Sequence, residues 1–85
     1  MTIEYSAQAK KQLSKLDKPV QIQIKNYLNE VAKLENPRSS GKALVGNLSG
    51  KWRYRVGDYR LICEIEDDKI LITVLRIGHR KDIYG

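Results

Sequence analysis

The stretch Lys51-Trp52-Arg53-Tyr54-Arg55-Val56-Gly57-Asp58-Tyr59-Arg60-Leu61-Ile62-Cys63-Glu64 decides the fold of this 85-residue chain. From Lys51 the period is two: Trp52, Tyr54 and Val56 fall on one side of an extended strand, Lys51, Arg53 and Arg55 on the other. Gly57-Asp58 is a two-residue hairpin signal, with glycine first as a type II′ turn prefers. That turn pairs Val56 with Tyr59, Arg55 with Arg60, Tyr54 with Leu61, Arg53 with Ile62, Trp52 with Cys63 and Lys51 with Glu64. One face of the hairpin then collects Trp52, Tyr54, Val56, Tyr59, Leu61 and Cys63, a core face. The other collects Arg53, Arg55 and Arg60.

Downstream of the acidic Asp67-Asp68 turn, Lys69 to about Ile77 is apolar on both sides, as central strands are. Upstream, Gly41, Gly46 and Gly50 stand among Ser39, Ser40, Asn47 and Ser49, which predicts a loop, or a loop with one helical turn. Gly41-Lys42-Ala43 is not a phosphate-cradling loop, because no Gly-Lys-Ser/Thr follows at the required spacing. Further back, Val20, Ile24, Tyr27, Leu28 and Val31 share a helical face. Pro19 suits the first turn of that helix and Asn36-Pro37 closes it. Ala9, Leu13 and Leu16 mark an earlier helix with Ser6 as its N-cap, and the short connection makes the two an antiparallel hairpin. Thr2 to Tyr5 alternates as a short strand. The expected fold is α+β in a single domain over 1–85, ordered β-α-α-β-β-β: an N-terminal strand, a helical hairpin, then a three-stranded antiparallel meander.

Sixteen Lys and Arg against ten Asp and Glu leave a net charge of +6. It is concentrated between residues 38 and 60, where Arg38, Lys42, Lys51, Arg53, Arg55 and Arg60 face Asp58 alone. Such a concentration steers a phosphate backbone, although a merely solvated basic face has the same composition. The one cysteine, Cys63, allows no internal disulfide and no cysteine-based zinc site, and points to a reducing compartment such as the cytoplasm. No basic-then-apolar signal opens the chain, and no apolar run approaches the ~20 residues of a membrane helix. His79 is the only histidine, so neither a His-ligated metal nor a Ser-His-Asp set is expected. Arginines remain as the candidate chemistry.

Like charges directly opposite on paired strands are destabilising, so Arg55 across from Arg60 needs a reason. Either carboxylates such as Glu64 and Asp58 neutralise them, or the face is an anion site of forked donors suited to phosphate. Arg80 is placed to close such a site. Tyr84 is either a packing residue or a ring on which a base stacks.

The stretch Trp52-Arg53-Tyr54-Arg55-Val56-Gly57-Asp58-Tyr59-Arg60-Leu61, with Ile77-Gly78-His79-Arg80-Lys81-Asp82-Ile83-Tyr84, resembles the RelE/ParE superfamily of type II toxin–antitoxin toxins. The helical hairpin and the Lys42-Ala43-Leu44…Gly46 segment match as well. The Gly-Asp-Tyr-Arg hairpin is common to both branches, and the Gly-His-Arg…Tyr ending resembles the RelE branch. That branch implies a ribosome-dependent mRNA endoribonuclease, an mRNA interferase that cleaves A-site codons and so inhibits translation. A ribose 2′-OH attacks the adjacent phosphate, giving a 2′,3′-cyclic phosphate and a 5′-OH, without metal or cofactor. The catalytic set implied is Arg53, Arg55, Arg60, Arg80 and Tyr84. In it Arg60 binds phosphate, Arg80 serves the leaving group and Tyr84 stacks on the base. Lys42, Lys51, Arg76, His79 and Lys81 are further candidates for RNA contact.

Relatives often carry lysines where this chain has Arg53 and Arg55. A guanidinium does not give up its proton at usable pH, so no general base is named, and catalysis rests on positioning and charge stabilisation. The implied partners are a RelB-like antitoxin with an acidic neutralising segment, the ribosome and mRNA. Operator DNA is reached only through the antitoxin, and no membrane is involved. Two other readings stand beside this one: a ParE-like inhibitor of DNA gyrase, and a non-catalytic RNA-binding relative.

Overall fold

The structure, a computed structural model, describes residues 1–81. Ser6 turns a strand into a helix: its hydroxyl accepts from the Ala9 amide at 3.0 Å, so β1 (Thr2–Tyr5) passes directly into α1 (Ala7–Ser14). Pro19 lies in the first turn of α2 (Lys18–Lys33), where its missing N–H leaves no bond unmade. The sheet consists of β1, β2 (Lys42–Ala43), β3 (Trp52–Val56), β4 (Tyr59–Glu66) and β5 (Leu71–His79), in the order β1-β5-β4-β3-β2. β1 runs parallel to β5, and the other neighbours are antiparallel. Short 3₁₀ turns occur at Pro37–Ser39, Gly46–Leu48 and Asp67–Lys69.

The α+β order expected from the sequence is present, and the β3–β4 hairpin has the expected register, from Val56↔Tyr59 to Trp52↔Cys63. Gly57, at φ +58°, supplies the left-handed backbone of the turn. β2 is an addition, since its residues were expected in a loop. Lys42 and Ala43 pair with Arg53 and Trp52, so the meander continues to a fourth antiparallel strand. Gly41 permits this approach. At φ +81°, a Cβ there would collide with the Arg53 carbonyl oxygen and stand 2.6 Å from Trp52 Nε1. The segment before β2 is anchored by aromatic side chains: Tyr54 Oη donates to the Pro37 carbonyl and Trp52 Nε1 to the Ser40 carbonyl, each at 2.7 Å.

Both helices cover one face of the sheet. Ala9, Leu13, Ile24, Leu28 and Val31 pack there with Tyr54, Leu61, Cys63, Ile72, Val74 and Ile77. Burial raises the pKa of the Cys63 thiol to about 12, which keeps it protonated.

One irregularity decides what the opposite face contains. Cys63 pairs with Val74, but Ile62 pairs with Arg76, leaving Leu75 as an extra residue in β5. A β-bulge of this kind reverses the side-chain alternation beyond it. Ile72 and Val74 point to the core before the bulge, and Ile77 and His79 point to that side after it. Without the bulge, Arg76 would oppose Leu61, which is fully buried. Burying a charged guanidinium there without a partner costs several kcal/mol, on the order of the effective penalty per buried ion, so the bulged register wins.

Candidate functional site

The sheet face away from the helices is built from cross-strand rows, because residues paired across strands share a face. One row reads Lys42–Arg53–Ile62–Arg76 across four strands. Its neighbour reads Arg55–Arg60–Gly78. The next, toward the Asp67–Lys69 turn, reads Glu64–Thr73–Glu4, with Lys51 reaching Glu64. Cationic groups therefore occupy two adjacent rows, and carboxylates begin in the third. Ile62 sits among the arginines, 2% exposed though outside the helix-side core. It gives their aliphatic stems an apolar floor to lie on.

Arg53 is half-buried, and among the described residues it makes no ion pair. Its Nε has neither solvent nor a hydrogen-bond partner. A buried charge-bearing donor in that state is costly, and a site that receives an anion supplies the missing acceptor. Arg55 is exposed and spends its Nε on the Gly57 carbonyl at 3.3 Å, within its own turn. Arg60 and Arg76 are half-buried, and each takes part in an interaction of its own. Arg80, exposed and one residue beyond β5, donates its backbone N–H to the Asp58 carbonyl at 2.9 Å, which fixes the end of the strand against the hairpin turn.

The expected residues are not all brought together. Lys42, Arg53, Arg55, Arg60 and Arg76 share the open face. Lys51 lies on the same side of the sheet but is paired with Glu64 at 3.1 Å, as the hairpin register predicted. His79 is on the helix side, edge-on to Tyr59 with ring centroids 5.8 Å apart, and its Nδ1 accepts from the Lys81 amide. The bulge therefore places the His79 ring on the other side of the sheet from the arginines. Lys81 is exposed just past the strand. Tyr84 lies outside the described residues.

Arg38, counted in the basic concentration of residues 38–60, is committed elsewhere. Its two terminal nitrogens grip both Asp67 oxygens at 3.0 Å. Arg76, which the sequence offered only as a further candidate for RNA contact, joins the same row as Arg53. The signal was present in Val74-Leu75-Arg76-Ile77, where a period-two pattern breaks.

Among the described residues no three His, Cys, Asp or Glu side chains converge as a metal-ligand set, and no helix is long and apolar enough to cross a membrane. Surface grooves along β1 and α1, lined by Ile3, Tyr5, Lys10 and Lys25 among others, are separate from the arginine rows.

The model of a protein family described as the ParE toxin of type II toxin–antitoxin systems, parDE, matches residues 3–84. The chain is 31% identical over 83 residues to Toxin RelG of Mycobacterium tuberculosis, covering 98% of this chain and 94% of the relative. It is 32% identical over 80 residues to the mRNA interferase toxin RelE of Escherichia coli K12, covering 93% and 82%. Among solved structures, the toxin–antitoxin complex RelBE2 from Mycobacterium tuberculosis superposes with a TM-score of 0.84 at 28% identity, over 95% of this chain and 92% of that one. The intact Escherichia coli RelBE toxin–antitoxin complex superposes with a TM-score of 0.72 at 22% identity, covering 91% and 93%, which speaks for the fold alone.

Proposed function

This chain belongs to the RelE/ParE family of type II toxin–antitoxin toxins, and from that premise we propose that it is a ribosome-dependent endoribonuclease cleaving mRNA in the A site. The observation that carries the reading is the pair of arginine rows, with the Arg53 Nε buried and unpartnered among the described residues. Three or more guanidiniums on a rigid sheet face form a preorganised receptor for a phosphodiester gaining charge. In this mechanism the substrate's own 2′-OH attacks the adjacent phosphorus and the 5′-oxygen departs, leaving a 2′,3′-cyclic phosphate and a 5′-OH.

Arg53, Arg60 and Arg76 hold the phosphate oxygens as negative charge builds, and Arg55 adds to the field from the rim. Arg80 stabilises the departing oxygen and Tyr84 stacks on the base. None of these arginines removes a proton, so the contribution is in-line positioning and electrostatics, with neither metal nor cofactor required. In the cell, a cytoplasmic protein of this kind is held inactive by a RelB-like antitoxin whose acidic segment lies over the basic rows. The relative from Mycobacterium tuberculosis solved as the toxin–antitoxin complex RelBE2 supports that pairing. The ribosome orders the mRNA, and operator DNA is contacted only by the antitoxin.

The test is incubation with ribosomes holding a defined A-site codon, followed by primer extension, with free mRNA and Arg60→Ala and Arg80→Ala proteins alongside. A single A-site cut that needs the ribosome and is lost in both variants is the expected result. Full cleavage by both variants would sink the residue assignment. The match to the ParE description favours one second reading, gyrase inhibition. Stalled gyrase on DNA, with no cut mRNA, would select it.

A further inference from the structure

β1 ends at Tyr5, opposite Val74, while β5 continues to His79. Past Val74, the edge of β5 that β1 no longer pairs is faced by α1, and the strand's backbone groups there need other partners. Two side chains at the start of α1 and within it supply them. The Ser6 hydroxyl, already accepting from Ala9, donates to the Leu75 carbonyl at 2.9 Å. The Gln12 side-chain oxygen accepts from the Ile77 amide at 2.6 Å. These bonds bracket Arg76 and fall on the extra residue and on the first core residue after it.

We propose that Gln12, seconded by Ser6, is a positioning residue of the arginine site. Its amide oxygen holds the Ile77 N–H on the helix side of β5, fixes the bulged course of residues 74–77, and so sets where Arg76 stands relative to Arg53 across Ile62. The same constraint governs how β5 delivers Arg80 to the hairpin turn. The proposal rests on the reading of this face as the reactive one. A bulge tolerates more than one local geometry, because the extra residue is released from the ladder. A side-chain acceptor at Ile77 selects one of them. The acceptor is what matters: leucine fills a similar volume and leaves the N–H unmet, whereas glutamate presents the same oxygen.

The test compares full-length wild-type, Gln12→Leu and Gln12→Glu proteins, with Gln12→Asn replacing the leucine variant should that one fail to fold. Three quantities are read: hydrogen exchange of the Ile77 amide, the Arg76 Nε–Hε resonance, and the rate of A-site cleavage as a function of ribosome concentration. In Gln12→Leu, Ile77 is expected to lose protection and the Arg76 resonance to move. Its kcat is expected to drop about tenfold or more with KM unchanged, the pattern of misplaced groups rather than lost binding. Gln12→Glu is expected to restore all three. A wild-type rate and an unmoved Arg76 resonance in Gln12→Leu would overturn the proposal. So would a Gln12→Glu protein that recovers Ile77 protection but not the rate. If wild-type protein cuts no ribosome-bound mRNA, the proposed function fails, and the Arg76 resonance by itself decides whether Gln12 positions that side chain.

Discussion

Arg53 and Arg55 differ by exposure, and so should the consequences of removing them. Arg53 is half-buried with an unmet Nε and, among the described residues, makes no ion pair. Arg53→Ala is expected to slow A-site cleavage by about a hundredfold or more, the usual loss for one preorganised donor. Arg55 stands directly opposite Arg60. Replacing it with threonine removes a like-charge pair, and chemical denaturation should show a gain of about 0.2–1 kcal/mol. A destabilised Arg55→Thr protein would mean that this pair is neutralised in the free molecule.

Cys63 gives a third test at this scale. Burial holds its thiol up at about 12, against ~8.5 for a free thiol. A group whose folded pKa is raised contributes stability that is complete below the unfolded value and is lost as pH rises toward the folded one. The loss should therefore begin near pH ~8.5 and continue upward. A thiol reagent at pH ~8 should find no reactive sulfur in the native protein and one after unfolding, since only thiolate reacts.

At the scale of elements, the hairpin and the helical pair were readable because their signals are local. A glycine-led two-residue turn sets every partner from Trp52 to Cys63, and Ser6 and Pro19 mark helix starts within one turn of chain. β2 was not readable. Its pairing depends on Gly41 passing against a strand 12 residues further on, which no composition announces. Gly41→Ala therefore combines a left-handed backbone with a collision, and equilibrium unfolding should show a loss of about 2 kcal/mol or more. Gly57→Ala has the same sign of φ but open space around the new Cβ, and should cost only about 1–2 kcal/mol. Equal losses at the two positions would mean that the contact with Arg53 and Trp52 contributes nothing.

At the scale of the whole molecule, the Arg38–Asp67 fork ties the segment after α2 to the turn between β4 and β5. The bond to Arg38 pulls the Asp67 carboxyl below its ordinary range. Its folded pKa is depressed, so the stabilisation is present above the unfolded value, ~3.9, and disappears as pH falls through the folded one. Melting curves of wild type and Asp67→Asn should differ at neutral pH, converge in acid, and draw together at high salt because the pair is exposed.

The amino-acid sequence by itself determined the α+β class, the order of elements, the hairpin register and the identity of Arg53, Arg55 and Arg60 as one face, since each follows from periods and turns within about ten residues. Which charges remain on that face was decided only in three dimensions. Arg38 leaves it for Asp67, Lys51 is held by Glu64, and a bulge at Leu75 brings Arg76 in while turning His79 out. The physical reason is that Arg76 cannot be buried beside Leu61. The sheet meets that constraint by inserting one residue, and Ser6 and Gln12 supply the hydrogen bonds that Leu75 and Ile77 need.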